Sequence, residues 1–307
     1  MNGHSDTRDH PLLGIMLMLG FCVMAPVGDA LAKLLSTQMP MAQLVFVRFS
    51  VQAAILIPIV ILTRRHWRMS TRVFQLVIWR TLLHIAGIAC MFTSLRYLPL
   101  ADAVAIAFVM PFIMLLLGKY VLHEEVGLRR LLACVVGFVG TLMVIQPSFA
   151  KVGAPALLPL AVAFIFAFFM LITRKIAKDV DPISMQAVSG VIATVLLLPV
   201  LYFGASSGVA DLEVIVPQGD IIWLLVAVGI AGTVGHLFMT WSLRYAPAAT
   251  LAPMQYIEIP IAALVGWIVF ADLPNGLAAL GICVTMGAGL YIVFRERASL
   301  RQSQSAP

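Results

Sequence analysis

The chain has 307 residues, of which 62% are apolar and only 11% charged; its mean hydropathy is +1.02 and its formal net charge is +6. Soluble domains are about 45–50% apolar and about 25% charged. This composition excludes a water-soluble globule. Most of the basic residues lie in short connections and tails, where they indicate membrane topology and not nucleic-acid binding. The chain is therefore predicted to lie in a lipid bilayer.

Ten apolar stretches are long enough to cross a bilayer, since a helix needs about 20 residues to span a core of about 30 Å. They are 12–35, 41–62, 73–95, 99–118, 128–146, 155–173, 183–204, 220–243, 249–270 and 276–294. None shows the alternation of apolar and polar residues that is typical of membrane β-strands. The sequence predicts an all-α integral membrane protein with ten transmembrane helices.

The distribution of basic residues predicts the orientation of these spans. With a cytoplasmic N-terminus, fifteen of the twenty Lys and Arg residues fall in inside segments, and only Arg96 and Lys151 fall in outside loops. Cytoplasmic loops are enriched in Lys and Arg. Both termini are therefore predicted to be cytoplasmic.

A phrase of eight residues occurs twice, as "SLRYLPLA" from Ser94 and "SLRYAPAA" from Ser242. The first copy joins spans three and four, and the second joins spans eight and nine. Because five helices separate the two copies, and five is odd, the copies are predicted to lie on opposite sides of the membrane.

The repeated phrase divides the chain into two inverted five-helix repeats. The first repeat is predicted to cover 12–146 and the second 155–294, with tails at 1–11 and 295–307. Inverted repeats allow a central site to open to one side and then to the other, an architecture typical of secondary transporters. The repeat is therefore the strongest indication of function in the sequence.

The ordered set of motifs resembles the EamA-type exporters of the drug/metabolite transporter superfamily. The matching features are Lys33 late in span one, Pro40 before span two, Arg48-Phe49 within it, the Tyr-x-Pro-x-x-Ala phrase, Pro111 and the acidic Glu124. Span nine reads Glu258-Ile-Pro260 and ends in Ala271-Asp272, so one residue separates the Glu and Pro that are often adjacent in the family.

The resemblance implies a bacterial inner-membrane carrier with a central cavity. Spans one to four and six to nine would surround the cavity, and spans five and ten would be peripheral. Members of this kind commonly export amino acids, including aromatic ones, or related small metabolites.

Span three carries two candidate site residues, Arg80 and His84, which are four residues apart on one helix face beside Trp79. Ionisable groups in a membrane tend to face a partner, the bundle interior or an aqueous cavity. Arg80 suits the carboxylate of a substrate or that of Glu258. His84 suits proton coupling, or a structural hydrogen bond to a backbone carbonyl.

Glu258 is the deepest acidic residue and lies in span nine near Gln255, with His236 of span eight at similar depth. We predict that Glu258 binds a proton or a substrate amine; the alternative is a pair with His236 or Arg80 in an inner gate. Pro253 and Pro260 are expected to distort the helix around it.

Three further charged residues, Asp29, Lys33 and Arg48, lie in spans one and two. Asp29 precedes Lys33 by four, the favoured order for an ion pair on one helix face, and Arg48 lies at a depth where it could reach Asp29. The prediction is an intramembrane ion pair or an outer gate, with direct substrate contact as the alternative.

These features predict a secondary transporter of amino acids or related metabolites, and not an enzyme. "GASSG" at 204–208 lacks the strand–turn–helix setting of a hydrolase, no phosphate-binding loop is present, and no cofactor or metal site is expected. Another metabolite or drug class, a membrane-embedded enzyme and a channel are the alternatives. The sequence does not decide whether transport is coupled to protons or is facilitated exchange, or whether the protein is a monomer or a homodimer.

Overall fold

The computed structural model describes residues 10–122 and 127–304, and over these residues it contains helices and no β-strand. The α-helices are α1 (Pro11–Ser36), α2 (Met41–Leu62), α3 (Thr71–Ser94), α4 (Leu100–Ala107), α5 (Met110–Val121), α6 (Leu128–Val152), α7 (Leu158–Ile176), α8 (Pro182–Gly204), α9 (Ile221–Tyr245), α10 (Ala248–Leu251), α11 (Glu258–Phe270) and α12 (Gly276–Gln304). Glu124 and the outer parts of both predicted tails, 1–9 and 305–307, lie outside the described residues.

Eight helical segments of the described chain are long and apolar enough to cross a membrane. They are Pro11–Ser36, Met41–Leu62, Thr71–Ser94, Leu100–Val121, Leu131–Val152, Ala154–Ile176, Pro182–Gly204 and Ile221–Tyr245. Two further apolar helices, Met254–Phe270 and Gly276–Tyr291, are shorter. The prediction of an all-helical, multi-pass membrane protein is confirmed, and ten crossings stay a prediction.

Prolines explain where the helices begin and where they break. Asp181 caps α8 by accepting a hydrogen bond from the Ser184 N–H at 3.0 Å, and Pro182 occupies the first helical position, where a missing N–H is tolerated. Predicted span four is interrupted between α4 and α5, because Pro111 has no N–H to donate to the carbonyl four residues earlier. Predicted span nine likewise contains a 3-10 segment, Ala252–Ile257, before α11.

The helices pack in pairs that join distant parts of the chain. The most extensive contacts are those of α1 with α9, α2 with α8, α3 with α7, and α6 with α12, and α4 packs against α11. Between α6 and α12 the backbones approach closely at Gly140 and Gly281, where a Cβ on either glycine would collide with the carbonyl oxygen of the other helix. Helices α2, α3, α8 and α9 enclose the buried polar side chains described next.

Candidate functional site

Arg48 on α2 lies at the centre of a buried polar cluster, and its side chain is only 2% exposed. Its Nη2 lies 3.3 Å from His84 Nε2 on α3 and 3.1 Å from His236 Nδ1 on α9, and its Nη1 donates a long 3.5 Å bond to Gln52. The guanidinium stacks over the Phe49 ring, 4.6 Å from its centroid. One side chain therefore connects α2, α3 and α9 in the middle of the bundle.

The two histidines of this cluster are neighbours, with ring centroids 4.2 Å apart. Since Arg can only donate hydrogen bonds, His84 Nε2 must be an acceptor, which puts the proton of a neutral His84 ring on Nδ1. Phe49 and Phe169 border the His84 ring, with centroids at 4.9 Å and 4.6 Å. The predicted pairing of His84 with a backbone carbonyl is not what the structure shows, since its contact is to Arg48.

His236 has two competing partners for one nitrogen. Its Nδ1 lies 3.1 Å from Arg48 Nη2, which can only donate, and 3.0 Å from the Gly232 carbonyl oxygen, which can only accept. A single ring nitrogen cannot satisfy both groups at once. The ring therefore has two alternative tautomers, in which Nε2 is either a donor or an acceptor, and Nε2 itself has no partner among the described residues.

Two glutamines extend the cluster to α8, and sequence reasoning missed both of them. Gln52 Nε2 donates to the Gln186 carbonyl at 2.8 Å, and Gln186 Nε2 donates to the His236 carbonyl at 2.9 Å and to Thr240 Oγ1 at 2.8 Å. Amide side chains in the middle of apolar spans usually hydrogen-bond across helices. The sequence contains this signal: apart from Gln43 near a helix start, Gln52 and Gln186 are the only amide side chains within spans two and seven.

Arg80 lies near this cluster but has its own partners. Its Nε donates to Thr173 Oγ1 at 2.7 Å and its Nη1 to Ser189 Oγ at 3.0 Å, and the guanidinium stacks over Phe169 at 4.4 Å. The pair with Glu258 that the sequence allowed does not form. Arg80 instead joins α3 to α7 and α8 through neutral hydroxyl groups.

A cavity of about 80 Å³ lies beside the cluster and contains two carboxylates. Asp29 of α1, Glu258 at the start of α11 and His236 line it, together with the aromatic rings of Phe21, Phe108 and Phe166. Neither carboxylate forms a hydrogen bond or salt bridge with another described residue. The cavity wall thus offers two unpaired acidic groups and one imidazole to a bound solute.

Trp79 and Gln255, two predicted substrate-binding residues, do not line this cavity. Trp79 points out of the bundle, with 62% of its side chain exposed, even though its neighbour Arg80 is fully buried. Gln255 is fully buried between two thioethers, with Nε2 3.8 Å from Met18 Sδ and 3.4 Å from Met170 Sδ. Within the described residues, no group of three or more His, Cys, Asp or Glu side chains is arranged to hold a metal ion.

Lys33 does not pair with Asp29, although the spacing allowed it. Its Nζ donates to Asp272 Oδ2 at 3.1 Å and to the Leu98 carbonyl at 3.0 Å, and lies 4.9 Å from the centre of the Phe270 ring. Lys33 therefore connects the end of α1 to the end of α11 and to the α3–α4 corner. This arrangement leaves Asp29 free to face the cavity.

We expect the Lys33–Asp272 pair to contribute modestly to stability. Because Lys33 and Asp272 are 17% and 39% exposed, the coupling in a double-mutant cycle of Lys33→Met and Asp272→Asn should be about 0.5–1 kcal/mol. Denaturant unfolding of the purified protein and the three variants measures it. Strictly additive losses would show that the pair contributes nothing.

Gly232 provides the space that Arg48 occupies. A Cβ at this position would lie 2.8 Å from Arg48 Nε and 3.0 Å from Cζ. Gly232→Ala should therefore displace the guanidinium and destabilise the protein by about 1–3 kcal/mol, despite the higher helix propensity of Ala. The matched control is Gly28→Ala on α1, whose Cβ would meet only Ala231 at an ordinary 3.7 Å. Equal thermal stability of the two variants would contradict the prediction.

Comparison with known proteins gives one consistent result over the whole chain. Residues 12–146 and 154–295 each match the EamA-like transporter family. An S-adenosylmethionine uptake transporter of Rickettsia prowazekii (strain Madrid E) is 25% identical, over 96% of this chain and 97% of that protein. A riboflavin transporter of Brucella anthropi is 28% identical over 76% and 81%, and the pseudopaline exporter CntI of Pseudomonas aeruginosa is 24% identical over 88% and 90%.

The fold also has a counterpart among solved structures. One crystal structure superposes on 94% of this chain and 97% of its own with a TM-score of 0.66, at 20% sequence identity. The similarity extends over both matched segments of the chain.

Proposed function

Because this chain belongs to the EamA-like transporter family of the drug/metabolite transporter superfamily, we propose that it exports amino acids or related small metabolites by alternating access. Membrane transport, and not enzymatic catalysis, is what the family and the named relatives support. The substrate class, the export direction and the secondary-transport mechanism are the proposed parts.

The observation that carries this proposal is the cavity that contains Asp29 and Glu258. An amino acid has an ammonium group, which suits the two unpaired carboxylates, and an α-carboxylate, which suits a guanidinium. Arg48 lies directly behind the cavity wall, 3.1 Å from His236. We propose that a substrate carboxylate draws Arg48 away from His236, which then donates to Gly232, and that the aromatic rings receive the substrate side chain.

The small size of the cavity supports alternating access. About 80 Å³ is well below the roughly 300–1,000 Å³ of small-molecule sites. A bound substrate therefore requires another conformation, in which the helices around the cavity separate. We propose that Lys33 and Asp272 form part of the contact that closes one end, and that Arg80 holds α3 against α7 and α8 behind the site without touching substrate.

We propose ten spans in two inverted repeats, with both termini on the cytoplasmic side of a bacterial inner membrane. Two observations support the repeat. Counted by predicted span, the observed contacts join one with eight, three with six, two with seven, four with nine and five with ten. This set is unchanged when the two halves are exchanged, as a two-fold axis requires. The proposed repeats are residues 12–146 and 155–294.

The repeated corner supports the same symmetry at the level of single bonds. Arg96 donates to the Ser36 carbonyl at 2.9 Å and to Met39, just beyond α1, which is the first helix of its half. Arg244 donates to the Val180 carbonyl at 2.9 Å and to Ala177, just beyond α7, which is the first helix of the other half. Each copy of the phrase therefore holds the equivalent helix end.

Counterflow in proteoliposomes tests the proposal. Vesicles loaded with one unlabelled amino acid should accumulate the labelled one, for a panel that includes aromatic and basic amino acids and with S-adenosylmethionine and riboflavin as comparison solutes. A transport rate that changes with an imposed pH gradient would support proton antiport, for which His236 and the two carboxylates are the proposed carriers. Exchange of no solute in the panel would contradict the amino-acid proposal.

A further inference from the structure

A second and much larger cavity lies on the side of the bundle, away from the proposed transport site. It has a volume of about 1120 Å³ and shares no lining residue with the central cavity. Its walls are Ile57 and Ile61 of α2 and Phe74 of α3, and its floor is Val188, Val191 and Ile192 of α8. Four of these residues, Ile57, Ile61, Phe74 and Val191, are more than a third exposed. We call this cavity the side groove.

A basic segment between α2 and α3 forms one end of the side groove, which we call its mouth. Residues 64–69 read Arg-Arg-His-Trp-Arg-Met, all of them line the groove, and the chain has no acidic residue between Asp29 and Asp102. Arg64 adopts a left-handed conformation with φ of 49°, which ends α2 abruptly and lets the segment turn across the groove. Trp67 is 65% exposed there.

Arg65 is only partly satisfied by the protein. Its Nη1 donates to Asp181 Oδ2 at 2.7 Å, but its Nε is buried and has no partner among the described residues. Among the residues that the structure describes, Asp181 is the single acidic group paired with this segment, and it also caps α8. Arg64, Arg65 and Arg68 all line the groove, and among the described residues only Arg65 is paired with a carboxylate, so the mouth of the groove keeps a net positive charge.

We propose that the side groove binds one anionic phospholipid, with its phosphate at Arg64, Arg65 and Arg68 and an acyl chain along the apolar floor. Basic pockets next to membrane helices recognise anionic head groups, and tryptophan is enriched at the membrane–water boundary. From Ser184 near the basic segment to Ile192, the floor descends about 12 Å at 1.5 Å per residue. The charge at the mouth and the apolar depth match the two ends of such a lipid.

Retention of lipid by the purified full-length chain tests the head-group part of the proposal. Native mass spectrometry is done in an equimolar mixture of phosphatidylglycerol and phosphatidylcholine with identical acyl chains. We expect preferential retention of phosphatidylglycerol, and a loss of about tenfold or more in Arg64→Gln/Arg68→Gln. The matched control is Arg72→Gln/Lys175→Gln, which removes two exposed charges that do not line the groove. Equal retention of the two lipids, or an equal loss in the control, would overturn the proposal.

A second pair of variants tests the acyl-chain part without changing any charge. Val191→Trp fills the floor and should lower phosphatidylglycerol retention several-fold, whereas Val195→Trp, one turn further along α8 and outside the groove, should not. Retention unaffected by Val191→Trp would overturn the proposal, as would displacement of the lipid by inorganic phosphate alone, which would indicate an anion site. Neither measurement depends on transport activity.

Discussion

Replacing Glu258 by Gln should lower amino-acid counterflow by about tenfold or more, because the loss of one charge-assisted hydrogen bond is worth about 1.5–3 kcal/mol. Glu258 lines the central cavity and has no hydrogen-bond or salt-bridge partner among the described residues. Its charge is therefore available to a substrate ammonium group or a proton, and not committed to a structural pair.

The same variant should lose activity without losing stability. Glu258 is only 9% exposed, and an unpaired buried carboxylate is costly, so Glu258→Gln should leave the melting temperature unchanged or raise it. The matched control is Glu213→Gln, which makes the same chemical change at an exposed position before α9 and should alter neither property. Normal counterflow in Glu258→Gln, or a steep loss of stability, would contradict the proposed role.

The sequence predicted the helical bundle well because long apolar segments have one stable form in a bilayer. Backbone groups in lipid must be satisfied within the segment, so about 20 apolar residues predict a helix whatever their order. The breaks are harder to locate. Pro111 and Pro260 are visible in the sequence, but a proline in a membrane helix can be accommodated by a kink or by a full interruption, and only the packed neighbours decide between them.

Partners of charged residues were predicted less well, because the sequence gives depth and helix face but not which helices are neighbours. The spacing of four residues predicts that Lys33 pairs with Asp29, yet its partner Asp272 lies 239 positions away. The sequence suggests a carboxylate partner for Arg80, but its guanidinium donates hydrogen bonds to two hydroxyl groups and stacks on an aromatic ring. Glu258 and His236 do line one cavity, as similar depth in adjacent spans suggested.

The central role of Arg48 could not be read from the sequence, since it depends on three helices that meet. Arg48 does interact electrostatically with Asp29, as its depth suggested, but its hydrogen-bonding distances are to Gln52, His84 and His236. Repeat symmetry gives the physical reason why this position is special. Helices α2 and α8 are the second helices of the two proposed halves, and they pack directly against each other, so their polar residues meet near the proposed axis.

Replacing Arg48 by Gln should reduce counterflow by about tenfold or more and lower the melting temperature, since it leaves the buried acceptor on His84 unpaired and removes the group that joins α2, α3 and α9. Arg48→Lys should be almost as damaging, because one ammonium group cannot reproduce the planar fork that reaches both rings and Gln52. The matched control is Arg72→Gln, an exposed basic residue of α3. Wild-type transport by Arg48→Lys would contradict the proposed geometry.

A double-mutant cycle then separates a functional Arg48 from a merely structural one. If Arg48 and His236 act as a unit in substrate binding, Arg48→Gln and His236→Gln should each lower counterflow strongly, and the double variant should be little worse than either single one. The counterflow data give the concentration dependence as well. If the substrate carboxylate binds Arg48, then Arg48→Gln should have a higher half-saturation concentration for amino acids than the unmodified protein. The half-saturation concentration for the corresponding amines, which lack the carboxylate, should not change. An equal effect on both kinds of solute would mean that Arg48 supports the helices and does not contact the substrate.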